Sequence, residues 1–266
     1  MYDNDKIGDC GLAAPGHQIQ SWSFFGNGNL FTPEPEAIIE AYSAVSGYDP
    51  KTGANDTGVV LQDVLSYWRK TGIGGNTITV FASVDVSQPD EIDAAIEAFG
   101  SLLVGVNLPK TAAKQLDDGQ PWDYVRGSGD GAPGSWGGHA IHVGAFDRVH
   151  GVRACTTWGA IQLMSDSFWK HYAFEAWVAV STLWVDTNKD GIGAIDLRSL
   201  GQAFVDLVPG ASNPFPDVPN PVVDMKAKTE ADLLPEAQAW VGRKWHTTSA
   251  NRSLRAVLEP WIGARI

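Results

Sequence analysis

Five prolines stand at positions 209, 214, 216, 219 and 221. Proline has no backbone N–H and a fixed φ, so a stretch this dense in it forms an extended spacer and cannot enter a core sheet. A globular core is therefore expected ahead of residue 209, with 209–228 as a linker and 229–266 as a helical tail. Two helical stretches are expected in the tail, 231–245 and 249–261. They carry Leu234, Trp240, Trp245, Leu254, Val257, Leu258 and Trp261. About 40 residues cannot bury that much apolar surface alone, so the tail is expected to dock on the main domain or on another chain.

The chain has 266 residues, 44% of them hydrophobic and 19% charged, which is ordinary globular composition with length enough for a large core. A formal charge of −12 argues against a nucleic-acid partner, because affinity for phosphates comes mostly from lysine and arginine. The start, Met1-Tyr2-Asp3-Asn4-Asp5-Lys6, is polar and acidic and does not read as a secretory signal. No apolar run approaches the roughly 20 residues of a membrane span, and 176–185 suits a buried strand instead. Two cysteines cannot build a disulfide framework; a reducing compartment is the simpler expectation, with a Cys10–Cys155 bridge as the alternative.

Helix and strand signals alternate ahead of the linker, which predicts an α+β fold. Residues 10–22 suit a buried helix that Pro15 and Gly16 should bend or shorten. A second helix is expected over 35–46 with Thr32 as its cap and Gly47 as its stop, and a third over 58–70. Strands are expected at 77–81, 102–106, 139–146, 152–157 and 176–185, and helices at 88–99 and 165–171. Between them, 117–138 is a glycine-rich loop carrying Trp122, Tyr124 and Trp136, suited to bring aromatic groups to a cleft.

Within this pattern Cys10 stands between a glycine turn and an apolar run, at the expected start of the first helix. Unpaired backbone N–H groups and the helix dipole favour a thiolate there, although free cysteine is also a common buried core residue. His139 opens an apolar strand directly after Gly137-Gly138, a rigid mount for a base. His142 should point to the opposite face, and Cys155 should be buried and inert. Nucleophilic cysteine chemistry needs an imidazole near the sulfur and a third group to fix the ring. Thr156, Thr157, Trp158 and Asp147 all lie close enough in sequence to be considered.

The order Gly8-Asp9-Cys10-Gly11, Gly137-Gly138-His139-Ala140-Ile141 and Thr157-Trp158-Gly159 resembles the papain-like cysteine peptidase superfamily, including its bacteriocin-leader-processing branch. More loosely the chain is similar to papain-fold proteins of actinobacterial phages. The resemblance covers about residues 4 to 185. It implies a papain-like fold over a 1–185 domain, with Cys10 as nucleophile and His139 as base and then acid. Thr156 falls where the family keeps Asn or Asp, and Asn4 where it keeps the oxyanion glutamine. Trp136, Gly137, Gly138 and Trp158 become the expected substrate contacts. The implied activity is thiol-dependent cleavage of a peptide or isopeptide bond in a peptide or protein substrate, with no cofactor required. The rival is a weak or inactive papain-fold binding protein, for example a virion component that docks a partner or a second copy through its tail. Either fits a cytoplasmic or virion-associated protein.

Asp186-Thr187-Asn188-Lys189-Asp190-Gly191 matches the start of a calcium loop, with Asp186, Asn188, Asp190 and Asp196 as oxygen ligands. Its last acid comes one residue early, so a turn capping an expected helix at 195–207 is the other reading of the 186–208 segment.

Overall fold

The stretch Leu-Leu-Val-Gly-Val-Asn-Leu is apolar at almost every position, and a strand of that kind needs cover on both faces. It forms β2 (Leu102–Leu108), which lies near the centre of a six-stranded sheet. A computed structural model describes residues 1–181 apart from 28, together with 183, 184 and 212. The other strands are β1 (Val80–Val84), β3 (Gly137–Asp147), β4 (Val152–Thr157), β5 (Ala160–Ser165) and β6 (Ala173–Val180). Their order is β1-β6-β2-β3-β4-β5, with every pairing antiparallel.

Strand alternation divides the core in two. On one face Leu103, Ala140 and Ala179 meet α1 (Cys10–Asn27), α2 (Pro35–Ser46) and α3 (Leu61–Lys70). On the other, Val104, Ile141, Val143, Cys155 and Val178 meet α4 (Pro89–Phe99) and α6 (Asp166–Tyr172), with Ala112 of α5 (Lys110–Asp117). Tryptophans anchor both cores through their indole N–H groups. Trp22 stacks on Trp68 with ring centroids 5.5 Å apart and donates to the Phe99 carbonyl at 2.8 Å, while Trp122 donates to that of Ala112 at 3.1 Å. Asp93 of α4, itself buried, bridges Arg148 and Arg153, and Arg153 also reaches Asp166, so that the β3–β4 hairpin is tied to two helices.

The α+β expectation and the helical start followed by an antiparallel sheet are thus observed, with local differences. Helix α1 runs through Pro15 to Asn27 rather than stopping near 22. Its burial against the sheet outweighs the one backbone bond that proline removes. Gly16 is needed there: a Cβ would stand 2.7 Å from the ring of Tyr2. Helix α2 is entered from Glu34 without a side-chain cap, and Thr32 instead accepts from Gln20. Strand β1 lies three residues later than expected at either end, because its limits follow its register with β6, Val80 opposite Val180 and Val84 opposite Ala176. Helix α5 and strand β5 have no counterpart among the sequence-based expectations. No described helix is long and apolar enough to cross a membrane. The proposed calcium loop with Asp186, Asn188, Asp190 and Asp196, the helix at 195–207, the linker and the tail helices lie outside the described residues.

Candidate functional site

Cys10 is the first residue of α1, and the helix is closed onto it by Leu12 and Ala13, whose N–H groups bond the Asp9 carbonyl at 2.8 and 2.9 Å. The loop that precedes it is held from the side. Gly8 donates its N–H to Asp56 at 2.8 Å, and the same carboxylate oxygen accepts the Tyr42 hydroxyl at 2.7 Å. A Cβ at Gly8 would stand 2.9 Å from that oxygen, and one at Gly11 would stand 2.3 Å from Val59. Both glycines flanking Asp9-Cys10 therefore allow close approach of the 56–60 segment.

The half-buried Cys10 sulfur lies near the backbone N–H groups of Ala140, Gly11 and Cys10 itself, all of which favour the thiolate. Burial and the neighbouring Asp9 outweigh them and push the thiol pKa above its ordinary value. The expectation that the helix start would yield a thiolate is thus reversed by desolvation, the largest influence on this group. Cys155 faces the other core, is fully buried, and has its pKa raised further by burial; both cysteines are free.

His139 is held from two sides. Its Nε2 lies 2.7 Å from Thr157 Oγ1, and its ring stacks on Trp158 with centroids 4.4 Å apart and planes 15° apart. Trp158 reaches that position from the two-residue turn between β4 and β5, where Trp158 (φ 44°) and Gly159 (φ 71°) are both left-handed. Trp136, 42% exposed, leans on Trp158 at 5.2 Å and lies just ahead of Gly137 and Gly138. Gly137 has φ 146°, and a Cβ at Gly138 would meet only open space. Burial depresses the His139 pKa to about 4, so the imidazole is neutral at pH 7. With Nε2 turned to Thr157, Nδ1 is the nitrogen left for other work. Among the described residues no hydrogen bond joins Cys10 and His139; their link is the Ala140 N–H, which belongs to the peptide following His139 and meets the sulfur.

Thr156 does not face His139. It faces His142 on the α1 side of the sheet, with Oγ1 3.3 Å from Nδ1. One residue along a strand reverses the face, and His139 shares its face with Thr157. The expectation for His142 holds: it is buried, and its Nε2 has no partner. Asp147 pairs with His150 at 2.6 Å in the hairpin turn, which lowers its pKa, and does not orient His139. Asn4 lies beside the Cys10 loop and donates from Nδ2 to Asp9 Oδ1 at 3.0 Å. Thr157 stands among the sequence candidates but the resemblance assigns the place to Thr156, and Asp9 has no role in the sequence-based expectations. Strand parity points to the first, and an acid one residue before a helix-starting cysteine was a signal for the second. No group of three metal-ligating side chains is clustered among the described residues.

No family model and no curated protein matches the sequence. Among solved structures the chain is similar to xylellain, a cysteine protease from Xylella fastidiosa, at 14% identity and a TM-score of 0.50, over 65% of this chain and 80% of that one. The likeness is one of fold. It is a distant match to a cysteine-protease arrangement, helices first and an antiparallel sheet after, in agreement with the α+β reading.

Proposed function

We propose that the chain is a papain-fold thiol hydrolase that cleaves an amide bond in a peptide or protein. Cys10 Sγ attacks the carbonyl carbon while its proton passes to His139 Nδ1. The Cys10 N–H and Asn4 Nδ2 hold the oxyanion that develops, and His139 returns the proton to the leaving amine. Water then attacks the thioester, giving a proton to His139; the C–S bond breaks, His139 returns that proton to the departing Cys10 sulfur, and the acid product leaves. Thr157 takes the place expected for Thr156, bonding Nε2 so that Nδ1 carries the proton traffic. Trp136, Gly137, Gly138 and Trp158 form the wall past which the leaving part of the substrate runs. The observation that carries this reading is the clamp on His139: Thr157 and Trp158 fix the ring on the strand whose next peptide N–H touches the Cys10 sulfur.

The charge state selects the form of the chemistry. With the thiol pKa raised and that of His139 near 4, the resting pair is thiol and neutral imidazole, so His139 acts as a general base during attack. The same observation favours a second reading, a papain-fold binding protein with little turnover, since Thr157 brings no charge to stabilise an imidazolium. In that reading the tail holds a virion partner or a second copy of the chain.

Acylation of Cys10 by p-nitrophenyl acetate, followed by peptide mass spectrometry against Cys155 and repeated in His139→Ala, separates the two. The hydrolase predicts fast acylation of Cys10 with a plateau that reaches down to about pH 5 and falls as His139 titrates near 4. A rate that climbs about tenfold per pH unit with thiolate alone, the same in His139→Ala, selects the binding protein.

A further inference from the structure

The carboxylate of Asp9 does not cap the helix it precedes, and one of its oxygens is unpaired. The residue is fully buried at the start of α1, where a side-chain oxygen ordinarily accepts an N–H from the first turn. Here the first-turn bonds from Leu12 and Ala13 go to its backbone carbonyl, Oδ2 has no partner, and Oδ1 accepts from Asn4 Nδ2 at 3.0 Å. A buried carboxylate with one oxygen unsatisfied is costly. Burial also raises its pKa to about 7, with Asp3 and Asp56 adding to the shift and the Asn4 bond and the residue's own backbone N–H opposing it.

We propose that Asp9 is a positioning residue for Asn4: it holds the amide with its nitrogen end toward the Cys10 loop, so that the second Nδ2–H is presented to the oxyanion. The inference rests on the reading of Cys10 as a nucleophile. The physical need is plain. Asn4 sits in a segment whose backbone is left-handed at Tyr2 and Asp3, and its amide has no other side-chain bond among the described residues. Left free, the amide would turn either its oxygen or its nitrogen to the site, and an oxyanion donor works only when preorganised. Above its pKa of about 7 the carboxylate accepts and cannot donate, so there it selects the nitrogen end, and the rates below are compared at pH 8 or higher.

Two reactions at the same sulfur test this. In acylation by p-nitrophenyl acetate the S–C bond forms, the carbonyl oxygen passes through an oxyanion, and p-nitrophenolate departs with the electron pair of the broken C–O bond. Alkylation by iodoacetamide displaces iodide at an sp³ carbon and builds no oxyanion. The ratio of the two rates at Cys10 therefore reports the donor and cancels changes in thiol reactivity. In Asp9→Ala and in Asn4→Ala the ratio is expected to fall at least about tenfold. Asp9→Asn, which keeps an acceptor at Oδ1 and retains the shape of the side chain, should restore most of it, and Asp9→Ala should add nothing in an Asn4→Ala background. A ratio unchanged in Asp9→Ala, or lowered equally with and without Asn4, overturns the inference. If Asp9→Ala does not fold, the decision passes to Asp9→Leu, which keeps the site apolar, and to Asp9→Asn, for which a ratio as low as that of Asn4→Ala counts against it. Wild-type Cys10 that alkylates but is not acylated removes the oxyanion role of Asn4 and the inference with it, whereas Cys10 inert to both reagents removes the hydrolase reading itself.

Discussion

Strand β3 carries two histidines three residues apart, and each meets a threonine of β4, yet the two pairs do different things. His139 pairs with Thr157 beneath Trp158, one residue before the Ala140 N–H that meets Cys10. His142 pairs with Thr156 on the opposite face, sealed under α1 near His17, with Nε2 unsatisfied. The chemical groups are the same; the face of the sheet separates them. A side chain at a strand end beside a glycine pair can meet a substrate, whereas one in the middle of the sheet can only contribute to, or detract from, packing.

The widest separation between the pairs is expected in reactivity. His139→Ala should slow acylation of Cys10 by about 10² or more, the usual worth of a general base, and His142→Asn should leave it within about twofold. Acylation kinetics of both variants check this. Equal losses in the two would mean that the rate follows the integrity of the sheet and not the His139 imidazole.

Stability in acid should draw on both histidines, and more strongly on His142. Burial lowers the pKa of His142 to about 3 and those of His17 and His139 to about 4, against an ordinary 6.5, while the raised pKa of Asp9, about 7, opposes their effect. Between the histidine values and 6.5 the unfolded imidazoles bind protons that the folded ones refuse. Stability present above pH 6.5 is therefore lost as pH falls toward 3 to 4, by on the order of a few kcal/mol. His142→Asn keeps a partner for Thr156, removes one titrating group, and should make that acid decline shallower in denaturant midpoints measured from pH 7 to pH 4. A decline as steep as in the wild type would place the acid sensitivity elsewhere.

The threonines sharpen the contrast at a smaller scale. Thr157→Val removes the 2.7 Å bond to His139 and should slow acylation by about tenfold, the worth of one good hydrogen bond, while Thr156→Val should not slow it. Thr157→Asp should add the missing charge, raise the His139 pKa measured by NMR, and move the acid limb of acylation upward with it. If Thr156→Val proves the slower variant, the two faces have been assigned the wrong way round.

The two faces also mark the limit of what the sequence makes legible. Cys10 and His139 are legible because each lies beside glycines at the start of a regular element, a local signal. Thr157 was missed for Thr156 because orientation in a strand depends on register, and a one-residue error turns every side chain to the other face. Strand β1 was displaced for the same reason: its ends are set by β6, almost a hundred residues later in the chain. The charge of Cys10 was misjudged for another. The helix-start N–H groups can be anticipated from sequence, but the depth of burial that overrides them cannot. Nor could the run of α1 through Pro15 be foreseen, since it depends on the sheet and on Tyr2 packing over Gly16.

The smallest expected effect concerns Trp158, and it tests whether the His139 pocket is built or incidental. A tryptophan with φ 44° occupies a conformation that glycine or asparagine would adopt with less strain, so the turn alone gives no reason for it. Its ring packs flat on His139 and edge-on to Trp122, so that it covers one face of the imidazole. Replacing it with asparagine should ease the backbone, offsetting part of the roughly 1 kcal/mol that an aromatic pair is worth, so the melting temperature should move little. The imidazole, however, loses the cover that depresses its pKa, and its titration should move up from about 4 toward 6.5. Acylation should then begin to fall at a higher pH even though the fold is intact. An NMR titration of His139 in Trp158→Asn measures this directly. A pKa that stays near 4 would show that the sheet and loop, rather than Trp158, keep water from the ring, and the difference between the two histidines would then lie in their access to Cys10 alone.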